Sequence, residues 1–166
     1  KRVVRDPFLL PHPDPCKDSV SGAELLDEIM ELVKRYFVVQ KGTATTLALW
    51  VLATWVFKEF HIFPYLKISS PVASCGKSSL LKTVGYLSKR PILADSMSSA
   101  SLFRGVEKWS PTILLDEMDM ANLKNDPDMK ALLNSGFQED GKALRAMKTK
   151  DGDFEPVPYS TYSPKV

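Results

Sequence analysis

The chain has 166 residues, 44% of them hydrophobic, which is enough for one compact domain with a sizeable core. Lys plus Arg number 22 against 20 for Asp plus Glu, so the net charge of +2 makes no global case for nucleic acid, membrane or an acidic substrate, and any basic surface must be local. Cys16 and Cys75 form neither a disulfide framework nor a zinc spacing, which points to a reducing, cytoplasmic setting.

Residues 1–20 begin with Lys1 rather than Met and carry Pro7, Pro11, Pro13 and Pro15. Each proline lacks an amide donor and restricts its predecessor, so this stretch is expected to be an extended arm or linker in a piece of a longer polypeptide. Residues 21–62 are expected to form a pair of helices. In the first, Ser21 and Glu24 have capping-box spacing, and Leu25, Leu26, Ile29, Met30, Leu32, Val33, Tyr36 and Phe37 recur at helical steps. Gly42 and Thr43 separate it from a second helix over about Ala44 to Phe60. Its apolar run, Thr46 to Phe57, is about a dozen residues where a membrane span needs about 20, so the helix is expected to be buried and no membrane partner is expected.

From residue 63 to 166 the texture alternates. A strand is predicted over Tyr65 to Ser69, a helix over Lys77 to Ser88, a strand over Ile92 to Asp95, a helix over Ser99 to Lys108 and a strand over Thr112 to Asp116. Such alternation builds a parallel sheet covered by helices. Asp126 and Pro127 then read as N-cap and first residue of a helix through about Asn134, with Gly136 near its end. Lys142 to Lys148 and Phe154 to Tyr162 read as a hairpin turning at Asp151-Gly152.

Running from the end of the first strand into the helix that begins at Lys77 are Ser70, Pro71, Val72, Ala73, Ser74, Cys75, Gly76, Lys77, Ser78 and Ser79. The end, Gly-Lys-Ser, is the tail of a phosphate-binding loop, while Pro71 stands where the general pattern has its first glycine. Proline presets φ and gives up only its own amide, so the turn survives it. A strand, turn and helix here would aim backbone amides at a phosphate, with Lys77 on the outer phosphates and Ser78 on Mg²⁺. Gly-Lys-Ser alone occurs by chance in many chains. The second element is the apolar strand ending in Asp116-Glu117, 39 positions after Lys77. Asp116 would emerge at the carboxyl end of its strand to hold the same Mg²⁺ through water, and Glu117 would act as general base toward water. A strand end capped by solvated acids is the plainer account of that pair taken alone.

Lys148 and Lys150 at the hairpin tip suit DNA phosphate contacts, and the same pattern also serves as a solvated, aggregation-resistant loop. His12 and His61 have no companion ligands, Cys75 reads as a small residue tolerated by the turn, and Trp50, Trp55 and Trp109 read as core. Arg104 and Arg145 suit structural ion pairs better than a catalytic role.

The combination ALWVLATWVF, SPVASCGKSSLL, PILADSMSSASLFRGVEKWSPTILLDEMD, LLNSGFQEDGKALRAM and PYSTYSPKV resembles a P-loop ATPase family catalogued as a domain of unknown function in phage and mobile-element replication proteins. The resemblance covers about residues 20 to 166, and in that family proline is the usual residue at the position of Pro71. It implies an α/β P-loop NTPase core of the AAA+ or superfamily III helicase kind, with ATP and Mg²⁺ as ligands and a ring-forming homo-oligomer acting on single- or double-stranded DNA. Lys77 and Ser78 would serve the phosphates and metal, and Asp116 and Glu117 would be the acidic pair. The family's sensor strand and arginine finger would lie past Val166. A small P-loop kinase and a nucleotide-gated assembly or DNA-loading module without appreciable turnover are the alternative functions.

Overall fold

The computed structural model describes residues 16–70, 75–94, 98–116, 126–148 and 152–166. Among these, five α-helices accompany two small two-stranded sheets. Helix α1 spans Gly22–Tyr36, and the Ser21 side chain accepts from the Glu24 amide as the capping box requires. Ile29 and Val33 are the side chains it buries most deeply, toward α2 at Thr43–Trp55. Gly42, in the left-handed region at φ 86°, makes the sharp entry into α2.

The second helix is shorter than its apolar run suggests. It ends at Trp55, and a 3₁₀ turn over Phe57–Glu59 follows. Tyr162 from the far end of the chain places its Oη 2.8 Å from the Phe57 carbonyl and against that of Phe60, so tertiary partners take carbonyls of this turn. Trp50, Phe57, Phe63 and Tyr162 stack into one aromatic cluster, with ring centroids 5.3–6.1 Å apart. This cluster, with Ile29, Val33, Leu47, Val51 and Val84, forms the first of two hydrophobic cores, to which the helical pair and the later chain both contribute.

Helix α3 covers Lys77–Leu87, strand β1 Pro91–Leu93, helix α4 Ser99–Trp109 and strand β2 Thr112–Leu114. The two strands pair in parallel, Ile92 opposite Ile113. Helix α5 is Pro127–Ser135, and the Asp126 carboxylate accepts from the amides of Asp128 and Met129 as predicted. Strands β3, Lys142–Lys148, and β4, Phe154–Ser160, form the expected antiparallel hairpin. One face of it, with Ala143 and Tyr159, closes the second core over Leu102, Phe103, Val106, Ile113, Met129 and Leu132. Arg145 stacks 4.2 Å from the Phe103 ring and pairs with Asp128 at 2.9 Å, the structural role its position suggested.

Among the described residues the expected parallel sheet covered by helices is corrected to this one parallel pair. The strands stop at Leu93 and Leu114 rather than Asp95 and Asp116, β4 stops at Ser160, and residues 65–69 form no strand. Residues 164–166 instead lie along the open side of β2. Ile113 donates to the Pro164 carbonyl, Val166 donates to Ile113, and Leu115 donates to Val166, at 2.8–2.9 Å. On their other side, Leu66 donates to the Lys165 carbonyl at 2.9 Å. Pro164 has no amide to donate and one carbonyl faces Leu66, so these contacts make bridges rather than a continuous ladder. None of the helices among the described residues is long and apolar enough to cross a membrane.

Candidate functional site at the start of α3

Gly76 precedes α3 with φ 87°, a left-handed conformation that an L side chain adopts only with strain. That turn starts the helix at Lys77, so the first amides of α3, which have no partners within the helix, lie beside the Lys77 and Ser78 side chains. A helix start of this kind carries partial positive charge. Helix α3 is held against β2 by Gly85, where a Cβ would collide with the Leu114 side chain.

From β2 the chain runs through Leu115 to Asp116, and the Ser78 hydroxyl donates to Asp116 Oδ2 at 3.2 Å. The two candidate metal ligands, 38 residues apart, are thus in direct contact. Lys77, Ser78 and Asp116 line a cleft of about 670 Å³. Residues 65–70 form one wall, Leu81 and Leu115 its apolar side, and Leu133, Asn134, Lys165 and Val166 the rest. Since β2 and residues 164–166 run parallel, Asp116 and Val166 emerge at the same end, where open α/β sheets collect ligands. Tyr65 fixes the wall by donating its hydroxyl to the Leu133 carbonyl at 2.8 Å, and burial pushes its phenol well above the usual range.

A second, wider cleft of about 1300 Å³ shares residues 66–70 and Lys77 with the first and extends past Cys75, Gly76 and Ser79 to the α1–α2 connection at Tyr36 to Thr43. The exposed Cys75 thiol is held below its ordinary range, chiefly by a hydrogen bond with the Ser70 hydroxyl and further by the Lys77 charge.

The structure therefore gathers Ser70, Cys75, Gly76, Lys77, Ser78, Ser79 and Asp116 around two adjoining clefts. Pro71, Val72, Ala73, Ser74, Glu117 and Lys150 lie outside the described residues, and of Lys148 only the backbone is described. Sequence reading missed Tyr65, Asn134, Lys165 and Val166 as cleft residues; they belong to no motif, and long-range packing brings them there. His61 meets Glu139 at 2.6 Å on the surface. Trp50 is buried as expected, but Trp55 is 39% exposed because α2 ends there and its ring lies over the end of α3. No group of three metal-ligating side chains occurs among the described residues. Comparison with protein-family models, with curated proteins and with solved structures finds no match.

Proposed function

We propose that the cleft at the start of α3 binds Mg²⁺-ATP and that the protein is the ATPase core of a helicase-like motor in a replication protein of phage or mobile-element type. The observation that carries this reading is the contact between Ser78 Oγ and Asp116 Oδ2 beside Lys77. An octahedral Mg²⁺ with ligands at 2.0–2.1 Å sets neighbouring oxygens about 2.9 Å apart, so oxygens 3.2 Å apart are close to the spacing the ion demands. A hydroxyl plus one carboxylate also matches how Mg²⁺ is usually held, with phosphates and water completing the shell rather than an all-protein cage. The residues present fit the group.

Lys77 and the amides of the first turn of α3 would hold the phosphate tail, the ammonium by charge-assisted hydrogen bonds and the amides by their fixed direction. Ser78 and Asp116 would hold the metal, which when bound neutralises charge on the phosphates. Glu117, next in the chain, would accept the proton of the water that attacks the terminal phosphorus as the bond to the departing diphosphate breaks. The apolar lining at Leu81 and Leu115 excludes water from one side of that reaction. DNA, with Lys148 and Lys150 on its backbone, and assembly into a ring belong to the same proposal.

The test separates the two acids. Asp116→Asn is expected to remove most of the Mg²⁺ enhancement of ATP affinity, whereas Glu117→Gln keeps Mg²⁺-ATP binding and stops phosphate release. Asp116→Asn with undiminished Mg²⁺ dependence, measured by titration calorimetry, contradicts the metal assignment.

A further inference from the structure

Helix α3 has an exposed face leading away from its first turn. Ser79, Lys82 and Tyr86 recur on it at three- and four-residue steps, and Tyr86 is 84% exposed. Where that face ends, the Trp55 indole donates to the Leu87 carbonyl at 3.1 Å, which fixes the ring at the surface next to α3. The Lys89 ammonium lies 3.4 Å from the Trp55 carbonyl and 5.9 Å from the centre of the Phe57 ring. Burial, then the neighbouring charges of Lys58 and Arg90, lower its affinity for a proton. Cations are therefore crowded here.

Part of this is accounted for by the fold. Lys89 faces the carbonyl end of α2, and Arg90 donates to the Trp109 carbonyl at the end of α4, where cations complement the helix dipole. Neither role explains Lys58 and Lys82, which are exposed, nor the two rings left in water. Glu59 is the acid next to Lys58 in the chain, against Lys58 and Arg90, whose charges both act on Lys89, and Lys82 on the exposed face of α3. A polyanion with flat apolar groups matches such a surface: phosphates neutralise the cations, and bases stack on the rings. An anionic lipid surface fits less well, because Lys89 sits 3.4 Å from the Trp55 carbonyl and over the buried Phe57 ring, so inserting Trp55 into a bilayer would carry that charge toward the apolar phase, while a phosphate backbone would neutralise it.

We infer that the surface formed by Lys58, Lys82 and Lys89 around Trp55 and Tyr86 binds single-stranded nucleic acid. None of these residues belongs to the β3–β4 hairpin, and the inference does not rest on the nucleotide reading. The test is fluorescence anisotropy with an end-labelled oligothymidylate of about 20 nucleotides across a salt series. Lys58→Glu plus Lys82→Glu is expected to weaken binding at least about tenfold and to reduce the salt slope by about 1.4, at about 0.7 per phosphate contact on a single strand. Tyr86→Ala is expected to weaken it by about tenfold through lost stacking. Lys148→Glu plus Lys150→Glu is expected to leave this contact in place. Lys58, Lys82 and Tyr86 are exposed, and circular dichroism checks that each variant is folded. The inference is overturned if the wild-type chain does not bind the oligonucleotide at low salt, or if the Lys58, Lys82 and Tyr86 variants bind it equally well. It is also overturned if only the hairpin variant loses binding, or if phosphatidylserine vesicles bind and the oligonucleotide does not.

Discussion

At 1% exposure, the Lys165 ammonium donates to the carbonyls of Gly136, Thr161 and Ser163 at 3.0–3.1 Å and lies 4.9 Å from the centre of the Tyr65 ring. Three carbonyls match the three donors of an ammonium, yet burial pushes its pKa down to about 7. In the unfolded chain the same group titrates near its ordinary 10.5. Above that pH the side chain is neutral in both states. As pH falls from about 10.5 toward 7 the unfolded chain takes up a proton that the folded one resists, so stability falls, and below 7 the loss is complete. Lys165→Met is therefore expected to flatten the rise in melting temperature between pH 7 and pH 10. An identical pH profile in both proteins contradicts a depressed Lys165. This residue also shows what the sequence withholds. A lysine between Pro164 and Val166 gives no sign of burial, because its partners come from residues 136 and 161–163 and from a ring a hundred positions away. Lys77, Ser78 and Asp116, by contrast, were legible, since a helix start after glycine and a carboxylate just past an apolar strand are local patterns.

Among the elements, the helices were the most readable because their signals are local. Ser21 and Asp126 cap where their side chains reach the next amides, and both helices start as expected. The end of α2 was not readable, because the carbonyls of Phe57 and Phe60 are taken by Tyr162, more than a hundred residues away. Nor could the sequence show that residues 65–69 would meet a partner through a single carbonyl. The turn after α5 joins these distant pieces. A Cβ on Gly136 would collide with the Leu132 carbonyl and the Lys165 ammonium and crowd the Thr161 carbonyl. Gly136→Ala is expected to cost about 1–3 kcal/mol in denaturant unfolding, because two of those neighbours are backbone and cannot rotate away. A loss below about 0.5 kcal/mol contradicts this close packing. The wall of the cleft at Leu133 and Asn134 belongs to the same helix, so the variant is also expected to disturb ligand binding.

At the scale of the molecule, two cores share the work of placing one cleft. The first, around Trp50, Phe57 and Phe63, anchors the chain leading into residues 65–70; the second, around Phe103, Ile113 and Leu132, anchors β2 and α5. Helix α3 brings Lys77 and Ser78 to the place where those pieces meet, with Val84 in the first core and Gly85 against Leu114 of β2. The near-balanced charge of +2 leaves any binding to local clusters, and the start of α3 and the Lys58–Lys82 surface are the two proposed above. The proposal that the start of α3 is a nucleotide site is checked by titration calorimetry of Mg²⁺-ATP into the wild-type chain and Lys77→Ala. The wild type is expected to bind and the variant to lose more than about tenfold in affinity, since a charge-assisted hydrogen bond of about 1.5–3 kcal/mol is removed. Equal affinity in the two proteins, or no binding by the wild type, would contradict it.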